Sequence, residues 1–282
     1  MSFNEREISN QDGQPIALYR FQWGNTFWFY TSADRAIPRT EIIAGEPTEV
    51  EYLPIAISDN GMVQGGEQSN DFTVSAPNNL PLALLYRGTP PSGTIFLTVR
   101  RKHHGDDDAP VWWIGTVGNV KRPDDVSVNI IGRTLTSTFQ RSGLRLSWQR
   151  SCPFILYDGN CKANPETFGV AGTVTAKDGV SITVTGGTVG YENKYRGGFI
   201  KWEADVNGTM ERRGIEQIGD IGSGVFQLFG RPDRLDVGTE IMLYPGCAHT
   251  PTACDTDFDN LANYGGYDFM PGKSPFDGTP VF

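Results

Sequence analysis

Four cysteines are the residues whose type and spacing could do chemistry in this chain. Cys152 and Cys161 lie in "SCPFILYDGNC", and Cys247 and Cys254 in "YPGCAHTPTACDTDFDN". Eight residues separate the first pair and six the second, so neither is the C-x-x-C of a zinc knuckle or redox pair. Both stretches are rich in turn formers: Pro153 and Asp158-Gly159 in one, Pro245-Gly246 and Pro251 in the other. Such loops can bend thiolates toward a common centre without breaking a sheet ladder. By count, four thiolates around one centre fit zinc and an iron–sulfur cluster equally. Two local disulfides or four unrelated buried thiols would need no meeting of the loops, and the spacing leaves these readings open. The opening "MSFNEREISNQDGQP" has no basic region ahead of an apolar core, so it does not read as a secretory signal. The expectation is therefore a reducing compartment, where stable disulfides are uncommon.

The acid–base candidates are few. His103 and His104 stand beside Asp106, Asp107 and Asp108 in "HHGDDDAP", which reads as an exposed, solvated hairpin tip. His249, between two cysteines, is a substitute ligand, a proton donor or a surface loop residue. Asp255, Asp257 and Asp259 imitate the start of a calcium loop. The sixth position is Asn260 rather than glycine and the twelfth is Gly266 rather than glutamate, which excludes an EF-hand. Asp255 reads instead as the cap of a short helix after Cys254. No G-x-S-x-G, Walker lysine loop, dinucleotide fingerprint or H-E-x-x-H occurs. Asn207-Gly208-Thr209 matches a glycosylation acceptor, but without a secretory route it reads as a turn. No enzyme is expected.

The elements that must position the cysteines read as strands. The chain has 282 residues with 34 glycines and 18 prolines, and its apolar runs are short, which favours many strands and turns. Net charge is −9, which argues against a general nucleic-acid groove, and no stretch approaches the roughly 20 apolar residues of a membrane span. "IALYRFQWGNTFWFY" predicts a hairpin turning at Gly24-Asn25. "TIFLTVRRK" alternates, with Ile95, Leu97 and Val99 on one face. With "VWWIGTVGNV" and "SVNIIGRTLTSTF" these sum to an antiparallel meander. A helix capped by Asn78 or Asn79 is predicted to run to Tyr86. In the second half, hairpins are predicted at Lys177-Asp178-Gly179 and at Asn207-Gly208, the strongest local hairpin signal of the chain. Trp112, Trp113, Trp148 and Trp202 read as core or interface anchors. Arg133, Arg141, Arg145 and Arg150 make the segment between the halves locally basic, solvated or facing an acidic partner. The expected fold class is all-β: two β-rich, barrel- or sandwich-like domains with a short helix and long loops. Their expected extents are 1–147 and 148–282, the second ending in an extended Gly/Pro-rich arm.

Taken together, "CPFILYDGNC" and, about ninety residues on, "YPGCAHTPTACDTDFDNLANYGGYDFMPG" resemble a family of tailed-phage and gene-transfer-agent tail proteins. The likeness rests on the first cysteine pair with its Tyr-Asp, the Pro-Gly before Cys247, and the ending Phe258, Asn260, Asn263, Gly265, Gly266, Pro271 and Gly272. Ala248-His249 departs from the Asp and Lys of many relatives. The resemblance implies a baseplate hub at the distal tip of a long non-contractile tail, made in the host cytoplasm. It implies that Cys152, Cys161, Cys247 and Cys254 hold a [4Fe–4S] cluster, with zinc as the alternative cofactor. The implied partners are two further copies in a homotrimer, the distal tail protein ring, a central fibre or tip protein and the tape-measure end. Other readings are a zinc-stabilised tail component and a tail-associated cell-wall or glycan hydrolase, for which Cys247 with His249 is the nearest dyad.

Overall fold

The structure, a computed structural model, describes residues 6–8, 13, 15–62, 72–106, 108–134, 143 and 146–270. Asp107, Arg141, Arg145, Pro271-Gly272 and the rest of the expected C-terminal arm from 271 lie outside the described residues. The chain is mainly strand and forms two compact units, Met1–Arg141 with Glu203–Glu211, and Ser142–Trp202 with Arg212–Phe282. No helix among the described residues is long and apolar enough to cross a membrane.

The first unit contains β1 (Pro15–Trp23), β2 (Thr26–Thr31), β3 (Ile37–Ile43), β4 (Glu46–Pro54), β5 (Ser58–Asp59), β6 (Phe72–Pro77), helix α1 (Pro81–Leu84), β7 (Ile95–His103), β8 (Val111–Lys121) and β9 (Ser127–Thr134). They form a nine-stranded sheet ordered β3-β4-β2-β1-β7-β8-β9-β6-β5. The Gly24-Asn25 turn is where the sequence predicts it, with Trp23 opposite Thr26 and Gly24 at φ 55°. Ile95, Leu97 and Val99 point inward and are at most 1 % exposed. They pack with Tyr19, Phe21 and Trp23 of β1 in one core. Trp113 stacks on Phe72 with ring centroids 4.4 Å apart. Gly115 and Gly132 make room for it, since a Cβ at either would come within 2.6 Å of its ring.

The β7-β8-β9 part is the expected antiparallel meander, but the whole order departs from it, because β2 pairs with β4 in parallel and β1 pairs with β7 across more than sixty residues. Trp112 is 40 % exposed, because neighbours on a strand face opposite ways and Trp113 takes the core side. The helix starts at Pro81 with Leu80 as an N-cap that makes no side-chain bond. Asn78 instead donates to the Asp125 carbonyl and accepts from Arg122. His103 and Asp106 are buried, not solvated. β7 runs on to His103, whose Nε2 lies 3.4 Å from Glu7, and Asp106 pairs with Arg6 at 3.2 Å.

Beside the β3–β4 hairpin, Glu41 is 2 % exposed. It accepts a hydrogen bond from Tyr52 at 2.9 Å and pairs with Arg20, Arg39 and Arg100 at 3.0–3.4 Å. Glu203–Glu211 also belongs to this unit. Within it, Asp205 accepts from the backbones of Asn207 and Thr209, and Gly208 turns the chain at φ 75°. Thr209 donates to the Trp23 carbonyl at 3.2 Å, and Thr26 bonds both Thr209 and Asp205.

The second unit is a closed barrel ordered β10-β11-β14-β13-β12-β15. Its strands are β10 (Val170–Asp178), β11 (Ser181–Gly186), β12 (Phe199–Glu203), β13 (Met210–Ile218), β14 (Val225–Leu228) and β15 (Glu240–Tyr244). Short helices α2 (Pro165–Phe168) and α3 (Pro251–Thr256) lie outside the strand order. Alternation supplies its core: Val174, Ile182, Val184, Ile200, Trp202, Phe226 and Leu243 are all at most 2 % exposed. Trp202 donates its indole N–H to the Arg234 carbonyl at 2.9 Å. The β10–β11 turn is Gly179-Val180, one step later than expected, so Val180 sits at the tip and not on an arm.

A buried carboxylate staples the barrel's loops. Glu192, fully buried, accepts backbone N–H bonds from Gly190 (2.9 Å), Gly222 (3.1 Å) and Gly224 (3.0 Å). Burial works against its charge, but the backbone donors outweigh it and hold the carboxyl below the usual glutamate range. A depressed folded-state value adds stability above the ordinary glutamate pKa, and that stability is lost as pH falls through the depressed value. Glu192→Gln should therefore cost about 2 kcal/mol at pH 7. In urea titrations the gap from wild type should shrink progressively below about pH 4; a gap equally large at pH 3 would mean the charge is not its source.

Candidate metal centre

All four cysteines are free thiols; Cys161 and Cys254 are buried and Cys152 and Cys247 partly so. The second unit brings them to one cavity of about 20 Å³, walled on its apolar side by Phe154, Leu156 and Phe258. Local chemistry sets each approach. Asp158 turns the chain ahead of Cys161 by accepting from the backbones of Asn160 (2.9 Å) and Cys161 (2.6 Å). The Cys161 N–H above all holds the Asp158 carboxyl below its ordinary value. Helix α3 carries Cys254 inward. It begins with Pro251 behind Thr250, whose hydroxyl accepts from Ala253 N–H at 3.2 Å. Asp255 is thus inside the helix and does not cap it, because the cap is Thr250 and the helix starts five residues earlier than the sequence suggests.

His249 is a clasp between the loops. Its carbonyl accepts from the Cys152 N–H at 3.0 Å, and its Nδ1 lies 3.0 Å from the Cys152 carbonyl. Tyr264 donates its hydroxyl to the carbonyls of Arg150 and His249. The Gly265-Gly266 pair has a steric cause. A Cβ on Gly265 would meet the Phe154 ring at 2.4 Å, and one on Gly266 the Arg150 carbonyl oxygen at 2.3 Å. That close passage lets the Gly265 N–H reach the Cys152 sulfur at 3.4 Å. The His249 N–H similarly reaches Cys247 at 3.3 Å. Beyond the cysteines, Tyr157 packs edge-on against Phe199, Tyr244 and Phe258. Trp148, read as a core residue or an interface anchor, is not in a core: it is 74 % exposed and stacks on Tyr267 at 4.8 Å.

The backbone around the thiols is strained. Five non-glycine residues among those described have left-handed φ, and four lie within five residues of a cysteine: Tyr157 (68°), Lys162 (60°), His249 (56°) and Asp259 (46°). Each costs about 1 kcal/mol, less for Asp and His. Burial, and the nearness of the other cysteines, push the Cys247 and Cys254 thiols up. A thiophilic group binding here would displace protons and relieve that mutual repulsion. The donor set fits such a group: four free thiols face one space, with amide N–H groups directed at sulfur. As they stand, no group of three or more His, Cys, Asp or Glu among the described residues is placed to hold a single metal ion. Sequence reasoning singled out the four cysteines but gave no role to Tyr264 or to the clasp at His249; their contacts span about 15 and 97 residues, beyond any local signal.

Residues 193–274, which include Cys247 and Cys254, match the family model described as phage conserved hypothetical protein BR0599. No curated protein matches the sequence. Among solved structures, a chain of the virion of a native gene transfer agent (GTA) particle is similar at TM-score 0.70 and 17 % identity, over 100 % of this chain and 99 % of that one. The chain therefore shares, from end to end, the fold of a protein in a gene transfer agent virion, and its C-terminal part matches a phage protein family.

Proposed function

We propose that the protein is a structural component of a phage or phage-like particle, the baseplate hub at the distal tip of a long tail. In this reading it joins the tail tube to a tip or central fibre protein as a homotrimer. The observation that carries it is the likeness to a GTA virion chain, which spans both chains almost completely; the match of 193–274 to a phage family supports it independently. In the same reading Cys152, Cys161, Cys247 and Cys254 hold a [4Fe–4S] cluster. The four thiols face one small cavity, and the preference for an iron–sulfur cluster over zinc comes from the resemblance of the cysteine segments to the tail-protein family. The cluster would cross-link two distant loops and offset their backbone strain. For the hydrolase reading, the described contact of His249 with Cys247 is made by its backbone N–H and not by its ring.

Two measurements test this. Antibody gold against a tagged copy should decorate the distal tail end of purified particles; label on the head or along the tube sinks the hub assignment. Anaerobically purified protein should carry four irons and acid-labile sulfide per chain, while stoichiometric zinc without sulfide would replace the cluster with the alternative.

A further inference from the structure

We propose that Asn260 is the positioning residue of the four-thiol site: its amide fastens the Cys161 loop to helix α3 and donates an N–H to the Cys161 sulfur, setting how readily the bound group accepts an electron. This rests on the cluster reading above. Asn260 is 9 % exposed. Its Nδ2 lies 2.6 Å from the Cys161 carbonyl oxygen and 3.6 Å from Cys161 Sγ, so both amide hydrogens have an acceptor on the same cysteine. The amide cannot turn over, because Asn263 Nδ2 donates to Asn260 Oδ1 at 2.6 Å and a flipped Oδ1 would face the Cys161 carbonyl. The backbone of Asn260 holds the other loop: its N–H donates to the Cys254 carbonyl at 3.0 Å, and in the metal-free protein its carbonyl also accepts from the Cys254 thiol at 3.2 Å, a bond that ends once a bound group displaces that proton. One residue thereby grips a buried cysteine from each half of the site.

The donors to Cys152 and Cys247 are backbone amides, those of Gly265 and His249. Among the described bonds to cysteine sulfur, Asn260 supplies the one from a side chain, so it is the donor a substitution can delete. An N–H pointing at sulfur stabilises the more negative, reduced state of a thiolate-bound cluster, and removing it lowers the potential.

The test compares wild type, Asn260→Leu and Asn263→Leu, each purified anaerobically, for iron and sulfide content, for potential in a dithionite titration, and for iodoacetamide alkylation of Cys161 and Cys254 in the metal-free protein. Asn260→Leu is expected to shift the oxidised-to-reduced ratio about tenfold, a fall of about 59 mV for a one-electron couple. It should also speed alkylation of both buried thiols about tenfold. Asn263→Leu, which only unlocks the amide, should shift the potential the same way by less, and it reports even if Asn260→Leu loses the group. Unchanged potential in both variants with wild-type alkylation rates overturns the proposal while the cluster reading stands. A wild type without iron and sulfide overturns the cluster reading and the tuning with it; faster alkylation in Asn260→Leu would then uphold the clasp alone.

Discussion

Replacing any one of Cys152, Cys161, Cys247 and Cys254 with serine is expected to strip the bound group and destabilise the second unit, by similar amounts for all four. If one group is shared, each substitution removes a corner of the same clamp, and binding free energy is folding free energy at such sites; a structural zinc contributes on the order of 10 kcal/mol. The double variant Cys152→Ser/Cys254→Ser should then be scarcely worse than either single change, because the first has already removed what the second would lose. Thermal unfolding followed by near-ultraviolet circular dichroism, with metal analysis of each variant, reads the outcome. Additive losses, or coupling confined to Cys152 with Cys161 and to Cys247 with Cys254, would point to two separate pairs. The strain at Tyr157, Lys162, His249 and Asp259 sharpens the expectation, because without the clamp nothing offsets it.

Glu41→Gln is the second large effect and concerns the first unit alone. The carboxylate is 2 % exposed and is shared by Arg20, Arg39 and Arg100, whose side chains are 17–22 % exposed. Neutralising it leaves three guanidiniums crowded together with their common counter-charge gone. Removing one partner of a buried ion pair costs about 3–5 kcal/mol, and the mutual repulsion adds to that. Tyr52 also loses its charged acceptor. Equilibrium denaturation should show the loss, and added salt should recover part of it by screening the arginines. Glu41→Gln with Arg39→Met should be more stable than Glu41→Gln alone; a double variant worse than both singles would mean that packing, not charge, governs the site.

The parts of the fold that were legible in the sequence are those whose cause is local. Gly24-Asn25 between aromatic runs marks a hairpin because few residues accept its turn geometry, and the alternation from Ile95 to Val99 marks a strand with one buried face. The four cysteines stood out by type, and family resemblance singled out Asn260 and Gly265-Gly266. What was not legible depends on partners far along the chain. His103 looked like part of a charged loop, because nothing nearby shows that β7 extends through it and turns it inward. Trp112 and Trp113 are indistinguishable until register decides which one the glycines at 115 and 132 accommodate. Asp255 was a sound cap by composition, but Thr250-Pro251 starts the helix first. The parallel contact of β2 with β4 has no signature in either strand.

The segment Glu203–Glu211 has a consequence for how the protein is made. It belongs with the first unit, yet the chain reaches it only after entering the second, so the hydrogen bond between Thr26 and Thr209 closes a loop of 183 residues. On the ribosome all nine strands of the sheet are made by Thr134, but the polar groups of the Trp23–Thr26 turn must wait more than sixty further residues for Asp205 and Thr209. Contacts of such long range slow folding, and a turn whose polar groups wait for late partners leaves the unit exposed to chaperones in the meantime. A fragment cut after residue 147 would lack this strip, and limited proteolysis between the halves should release no autonomous N-terminal piece. The first unit is therefore finished by a strip of chain that is synthesised after the start of the second.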